Sequence, residues 1–426
     1  MKLSKKVLDF EYVERIEGHL KFTVDTEKDI VQVEPLEGAR LFESFLRGRK
    51  WDEIPYIASR ICGICPCSHN ICAVKAVENG FGVESSEDTI KLRKLVHYGE
   101  LLQSHLLHLY FLALPDYMGC KDIFEIAKKD PETVKTILKL RNNAIYMADI
   151  VGGRFVHPMA TAVGGFNRIP KKREIEMMLK NMKECVNAAE RVVETFSKLD
   201  YPKFERRTEY VALRNGKEYG LYDGKVISSD GLDVEGGRYG KTFDEIVKPY
   251  STAKFSYRKG HSFCVGALSR VNLNKDMLSD RAKEAIKTYG CKFPSYNPHH
   301  INIAQAIEVI HCVEKSIEVL EELKEKGINA KKVEVKPKEG IGASVVEAPR
   351  GVLYHCYEFD ENGYVKNANI ITPTAQNFAN MEEDIKKMLP EIKKMSEEDA
   401  KRSIEVLIRA YDPCLSCSVH LVHVAP

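Results

Sequence analysis

Arg60-Ile61-Cys62-Gly63-Ile64-Cys65-Pro66-Cys67-Ser68-His69 decides how this chain is read, together with its counterpart Asp412-Pro413-Cys414-Leu415-Ser416-Cys417-Ser418-Val419-His420. Each C-x-x-C brings two thiols within reach of one ion, and the two pairs are expected to meet. Four thiolates converging from segments about 350 residues apart make a soft site. Zinc, an iron–sulfur cluster or a thiophilic redox metal such as nickel would each be at home there.

Outward from the first pair the pattern turns helical. A helix is expected at 69–80, then a long one from 89 to 113, capped by Asp88 and carrying Leu92, Leu95, Tyr98, Leu101, Leu102 and Leu106 at helical spacing. Leu114-Pro115-Asp116 marks its end. Further helices are expected at 132–151, 171–199, 275–289, 301–326, 376–388 and 397–410, so the core reads as a bundle. Strand-like alternation bounds it. Residues 8–36 read as an antiparallel ribbon, with Glu14–His19 as a solvated corner on spacing alone. The stretch 331–371 reads as strands turning at Asp360–Gly363, with Arg350 at a Pro-Arg-Gly break. A short amphipathic helix carries Glu43. Residues 205–260, rich in Gly, Tyr, Asp and Arg, read as an inserted β-rich lobe, and Gly236-Gly237 there lacks the strand and helix of a phosphate cradle. The fold class is therefore α+β: one domain over 1–426, a mainly helical bundle with β-rich edges.

Composition excludes several classes of function. A formal charge of +2 leaves no electrostatic footprint for nucleic acid or an acidic membrane. No apolar run is long enough for a membrane span, and residues 1–12 lack a signal-peptide core, so the expected location is the cytoplasm, unless a partner carries an export signal for both. Twelve cysteines in 426 residues are too sparse for a disulfide scaffold. Cys120, Cys185, Cys264, Cys291, Cys312 and Cys356 read as small buried apolar side chains. Cys67 and Cys72, near the first pair, could add a metal contact or a redox role. His105 and His108, one turn apart, read as hydrogen-bonded core histidines rather than ligands.

Structural zinc is the commonest use of paired C-x-x-C motifs, but it usually rescues small units with short spacers, and this chain has core enough without it. A thioredoxin-like pair is excluded by the lack of a βαβ context. A cluster on four cysteines stays open, as does a catalytic metal.

The motifs R-I-E-G-H at 15–19, R-I-C-G-I-C-P-C-S-H, L-P-D at 114–116, E-A-P-R-G at 347–351, I-T-P-T-A-Q-N at 371–377 and D-P-C-L-S-C-S-V-H together resemble the large, catalytic subunit of nickel–iron hydrogenases along the whole chain. The resemblance implies that Cys62, Cys65, Cys414 and Cys417 bind nickel, with Cys65 and Cys417 bridging to an iron that carries carbon monoxide and cyanide. It implies that Glu17 relays protons, that Arg350 stands over the metals and that Asp116 and Asp412 orient it. His69, Pro373 and Thr374 match positions around the bridging thiolate and the cyanides. Glu43 and His420 match a magnesium or iron site near the C-terminus.

The implied activity is reversible heterolysis of dihydrogen. Metal accepts hydride, sulfur accepts a proton and a carboxylate carries it away. Electrons would leave through an iron–sulfur small subunit, while a maturation protease would clip the tail after His420. Within the family the chain looks most like the NAD(P)-linked, multi-subunit sulfhydrogenase type, in which a flavin subunit handles the nucleotide. Methanogen hydrogenases that feed a deazaflavin coenzyme or a heterodisulfide reductase share C-G-I-C. From other classes, a zinc-stabilised scaffold and a metal-free relative of respiratory complexes are the rivals. Metal content separates all three.

Overall fold

A computed structural model describes residues 7–10 and 12–419. Its helical layer is built from Glu87–Leu107, Pro131–Gly152, Lys172–Glu184, Val186–Ser197 and Ile301–Lys326, packed side by side around a shared apolar core. Close approach of the first two depends on Gly99: a Cβ there would lie 2.8 Å from the Ala144 carbonyl oxygen. Against this bundle stands an antiparallel meander of Gly340–Ala348, Gly351–Phe359 and Val365–Ile371. The helix Pro66–Phe81 lies between the two layers, and its backbone approaches the meander so closely that a Cβ on Gly342 would sit 2.0 Å from the Ala76 carbonyl.

Smaller sheets frame this core. Val7–Phe10, Leu20–Asp25 and Ile30–Pro35 form the expected antiparallel ribbon, and the long helix Pro373–Ile392 packs on its last strand. Glu209–Arg214, Lys225–Ser228 and Asp233–Glu235 make an antiparallel set that Phe263–Cys264 extends in parallel. This β-rich region does not stand apart. Val211, Leu213, Val226, Tyr239 and Phe263 share one apolar cluster with Val345, Val352, Tyr354 and Ile371 of the meander.

Several expectations require correction. Ser86, not Asp88, caps the long helix: its hydroxyl accepts from the Thr89 amide at 3.2 Å, while Asp88 sits in the first turn, where a carboxylate favours the helix dipole. The helix stops being α at Leu107 and passes through a π turn, His108–Ala113, before Leu114–Met118 resumes it. The 171–199 helix is interrupted at Cys185. Lys331–Pro337 forms no strand, although the Val333 amide donates to the Gly164 carbonyl at 2.8 Å. A helix Ala267–Asn274 precedes the expected one, which shrinks to Asp280–Thr288 after a 3-10 turn. Among the described residues no helix is long and apolar enough to cross a membrane.

Candidate metal centre

The two cysteine pairs meet. The Sγ atoms of Cys62, Cys65, Cys414 and Cys417 all lie within 4.8 Å of one another, and all four residues are buried. Cys62 and Cys414 are 3.4 Å apart, as are Cys65 and Cys417, and Cys414 and Cys417 are 3.0 Å apart. Opposed thiolates on one ion, each at about 2.3 Å, span up to ~4.6 Å, so the quartet fits a single thiophilic metal ion or the nickel end of a two-metal group. Burial alone would raise the Cys62 thiol, but hydrogen bonds from Cys414, Cys417 and Cys65 outweigh it and bring it well below the usual range. Burial pushes Cys417 up instead. Protons are thus shared unevenly within the quartet, as expected of a cluster that exchanges them for metal.

Local structure explains how each pair is presented. Cys62 follows a 3-10 turn in extended conformation, and the amides of Ile64 and Cys65 both point at its sulfur, each at 3.2 Å. Cys65 is the residue before a helix whose first position is Pro66, which needs no amide partner there. The same helix start is capped from another element: the buried Glu100 carboxylate accepts from the Cys67 amide at 2.5 Å and the Ser68 amide at 2.9 Å. On the far side the Cys414 amide donates to Thr374 Oγ1 at 3.1 Å, at the start of the helix Pro373–Ile392. Arg40 ties both segments together, donating to the carbonyls of Ile61 at 2.6 Å and Ser416 at 3.4 Å.

Glu17 does not sit in a solvated corner. It forms a parallel bridge with Cys414, its carbonyl accepts from the Leu415 amide, and its carboxylate accepts from the Ser416 amide at 3.1 Å and the Ser416 hydroxyl at 2.5 Å. Burial, then the negative charge on Cys414, push it up to about 7 against the Ser416 hydrogen bonds. Arg350 is buried and approaches from the opposite side of the fold, at the reversal between two meander strands. Its Nε donates to the Asp412 carbonyl at 2.6 Å, Nη2 to Asp412 Oδ1 at 2.9 Å and Nη1 to Ser104 Oγ at 3.4 Å. Burial works against its charge, but Asp412 and then the thiols of Cys414, Cys65 and Cys62 hold it firmly protonated. Asp412 adopts φ +52, a left-handed conformation that Asp tolerates, and Gln305 Nε2 fixes its other oxygen at 3.2 Å.

The expectation for Asp116 is corrected. Its carboxylate meets Arg15 and Arg409, the latter at 2.7 and 3.0 Å, and not Arg350. Two other cations claim it, and Ser104 fills the place beside Arg350. His69 is buried one helix turn beyond Cys65. Its Nδ1 meets His355 Nε2 at 3.1 Å, its Nε2 has no hydrogen-bond partner among the described residues, and burial holds it neutral at about 3. Pro373 is buried at the start of its helix. Glu43 Oε1 accepts from the Ile370 amide at 2.7 Å, while its expected companion His420 lies outside the described residues. Cys67 and Cys72 stay out of the quartet, their thiols facing the Phe155 carbonyl and Ser344. His105 meets Glu308, and His108 meets Gln305 and the Arg409 carbonyl, as core histidines do.

Arg40, Glu100 and Ser104 were not foreseen. Each is a lone polar residue whose partner is remote in sequence, and no local spacing announces it.

A mixed helix–sheet fold that closes around four thiols, a carboxyl and a guanidinium defines a thiolate-metal redox enzyme. The family description "Nickel-dependent hydrogenase" matches residues 40–140 and 222–420. The alpha subunit of sulfhydrogenase 1 from Pyrococcus furiosus is 36% identical over 97% of this chain and 98% of its own length. A hydrogenase subunit from Methanothermobacter marburgensis is 35% identical over 97% of this chain and 95% of its own. The crystal structure of an NAD+-reducing [NiFe]-hydrogenase in the H2-reduced state superimposes with a TM-score of 0.88 at 28% identity, covering 98% of this chain and 100% of that one. The chain belongs to the nickel-dependent hydrogenase family, as a large subunit, and is an oxidoreductase.

Proposed function

We propose that this subunit splits dihydrogen reversibly and heterolytically at a nickel–iron group held by Cys62, Cys65, Cys414 and Cys417, with Cys65 and Cys417 bridging to iron. The observation that carries this reading is the buried thiol quartet with Glu17 against one flank and Arg350 on the other. When bound, the group supplies a redox-active Lewis acid that takes up the electron pair of the H–H bond, with carbon monoxide and cyanide completing the iron. The chain supplies the proton chemistry and the electrostatics. Glu17 takes the proton from the Cys414 sulfur and passes it on, since a carboxyl near 7 gives up and regains a proton at neutral pH. Arg350, a fixed cation oriented by Asp412, stabilises negative charge that builds up beside it. His69, Pro373 and Thr374 shape the surroundings of the group, the unpartnered His69 Nε2 being a donor or acceptor in waiting. Glu43 contributes a carboxylate to a magnesium or iron site that His420 would complete.

Electrons then pass through an iron–sulfur small subunit to a flavin subunit, which reduces NAD(P) in the cytoplasm. A maturation protease removes the tail beyond His420. Support for NAD(P) comes from the NAD+-reducing structural relative and, for a sulfur-reducing side activity, from the sulfhydrogenase relative. The methanogen relative at 35% identity supports a second reading, in which the acceptor is a deazaflavin coenzyme or a heterodisulfide reductase. Anaerobic purification with the natural partners, followed by metal analysis and infrared spectroscopy, tests the site. About one nickel per chain with carbon monoxide and cyanide bands is the expected result. Zinc without those bands would return the cysteines to a structural role. Hydrogen-dependent reduction of NAD(P) by the same complex supports the first acceptor, and its absence the second.

A further inference from the structure

Arg350 can act only if the two-residue reversal that carries it is held still. Ala348 pairs with Gly351, so Pro349 and Arg350 alone make the turn between two meander strands. A second arginine grips that turn from behind. Arg270, wholly buried on the helix Ala267–Asn274, donates from Nη1 to the Ala348 carbonyl and from Nη2 to the Pro349 carbonyl, both at 3.1 Å. The other sides of its guanidinium are filled by Glu308, at 2.6 and 2.7 Å, and Glu347, at 2.9 Å. These partners belong to different elements. Glu308 also receives His105 Nε2 at 2.9 Å and the Tyr219 hydroxyl at 2.7 Å, and Glu347 receives the Leu213 amide at 2.8 Å. The backbone leaves no slack either, because a Cβ on Gly266 would lie 2.9 Å from the Arg350 carbonyl oxygen.

We infer that Arg270 is a positioning residue of the hydrogenase site, fixing the Ala348-Pro349-Arg350 turn so that the Arg350 guanidinium stays seated on Asp412 beside the thiols. The inference rests on the proposed role of Arg350. A buried guanidinium uses all its donors here, and a buried ion network whose members are all satisfied holds one geometry. Lysine could neutralise Glu308 but could not span two carbonyls and two carboxylates at once.

The test is Arg270→Lys in the purified holoenzyme, paired with the charge-compensated double variant Arg270→Gln/Glu308→Gln. Expected in both are wild-type nickel and iron content, infrared bands shifted from wild type because the neighbouring cation has moved, and turnover lowered about 10- to 100-fold. Crystal structures of the variants, with or without metal, should show Arg350 Nη2 displaced from its 2.9 Å contact with Asp412. Unshifted bands and an undisplaced Arg350 in a folded variant overturn the inference, as do activity losses that merely track metal content. If neither variant folds, Arg270 serves folding alone and the inference fails. Wild-type enzyme without nickel and the infrared bands would sink the site reading, and the crystallographic contact would still judge Arg270.

Discussion

Glu17 and Arg350 reach the same four sulfurs from sequence positions more than 300 residues apart, and their chemistries separate cleanly by substitution. Glu17→Gln keeps the shape and the contacts to Ser416 but removes the exchangeable proton. Hydrogen–deuterium exchange and hydrogen-dependent dye reduction should then collapse while nickel and iron remain, and undiminished exchange would remove Glu17 from the proton route. Arg350→Lys keeps a charge and loses the planar fork that embraces Asp412. Turnover should fall by roughly two decades, about 3 kcal/mol of barrier. Near-normal rates would reduce Arg350 to a salt-bridge residue. At this scale the motif match assigned the right neighbourhood to most residues but misjudged Asp116, because a carboxylate is claimed by whichever cations the fold brings closest, and here those are Arg15 and Arg409.

Between elements the governing contacts are caps and close approaches. Glu100, on one helix, caps the start of the next around Cys67 and Ser68. Glu100→Gln turns an amino group toward one of those amides and should destabilise the chain by about 1–3 kcal/mol, seen as a lower melting temperature. The wild-type carboxyl is pushed from 4.5 up to about 7, chiefly by burial, with hydrogen bonds from Ser68 and Cys67 opposing. A folded value above the unfolded one means that the folded state holds the extra proton. Its contribution is full below about 4.5, is lost as pH rises through about 7, and should vanish from the pH profile of Glu100→Gln. Gly342→Ala forces a methyl group onto the Ala76 carbonyl and should cost about 1–3 kcal/mol in the same melting assay by prying the meander from the helix Pro66–Phe81. Helices 301–326 and 397–410 were legible to the residue because their apolar periodicity is uninterrupted. The π turn at 108–113 was not, since an extra residue in one turn leaves the local composition helical.

Across the whole molecule, the quartet is a clasp that joins the first helix after the amino-terminal sheet to the last turn of the described chain. The core is extensive without it, so removing metal should leave the melting of the bundle largely unchanged while amides at 412–419 lose hydrogen-exchange protection. Equal protection with and without metal would show that Arg40 and Thr374 hold the carboxy-terminal segment unaided.

By itself the sequence determined that two thiol pairs exist, that long amphipathic helices dominate and that strands lie at the edges, because cysteine spacing and apolar periodicity are local properties of a chain. Only the tertiary structure decided that Ser104 and Asp412, not Asp116, hold Arg350, that Glu17 is pressed against Cys414 rather than facing water, and that Arg40, Glu100 and Arg270 brace the site. The physical reason is the same in each case. A buried polar group must be paired, and which partner it finds depends on the packing of segments that are remote in sequence.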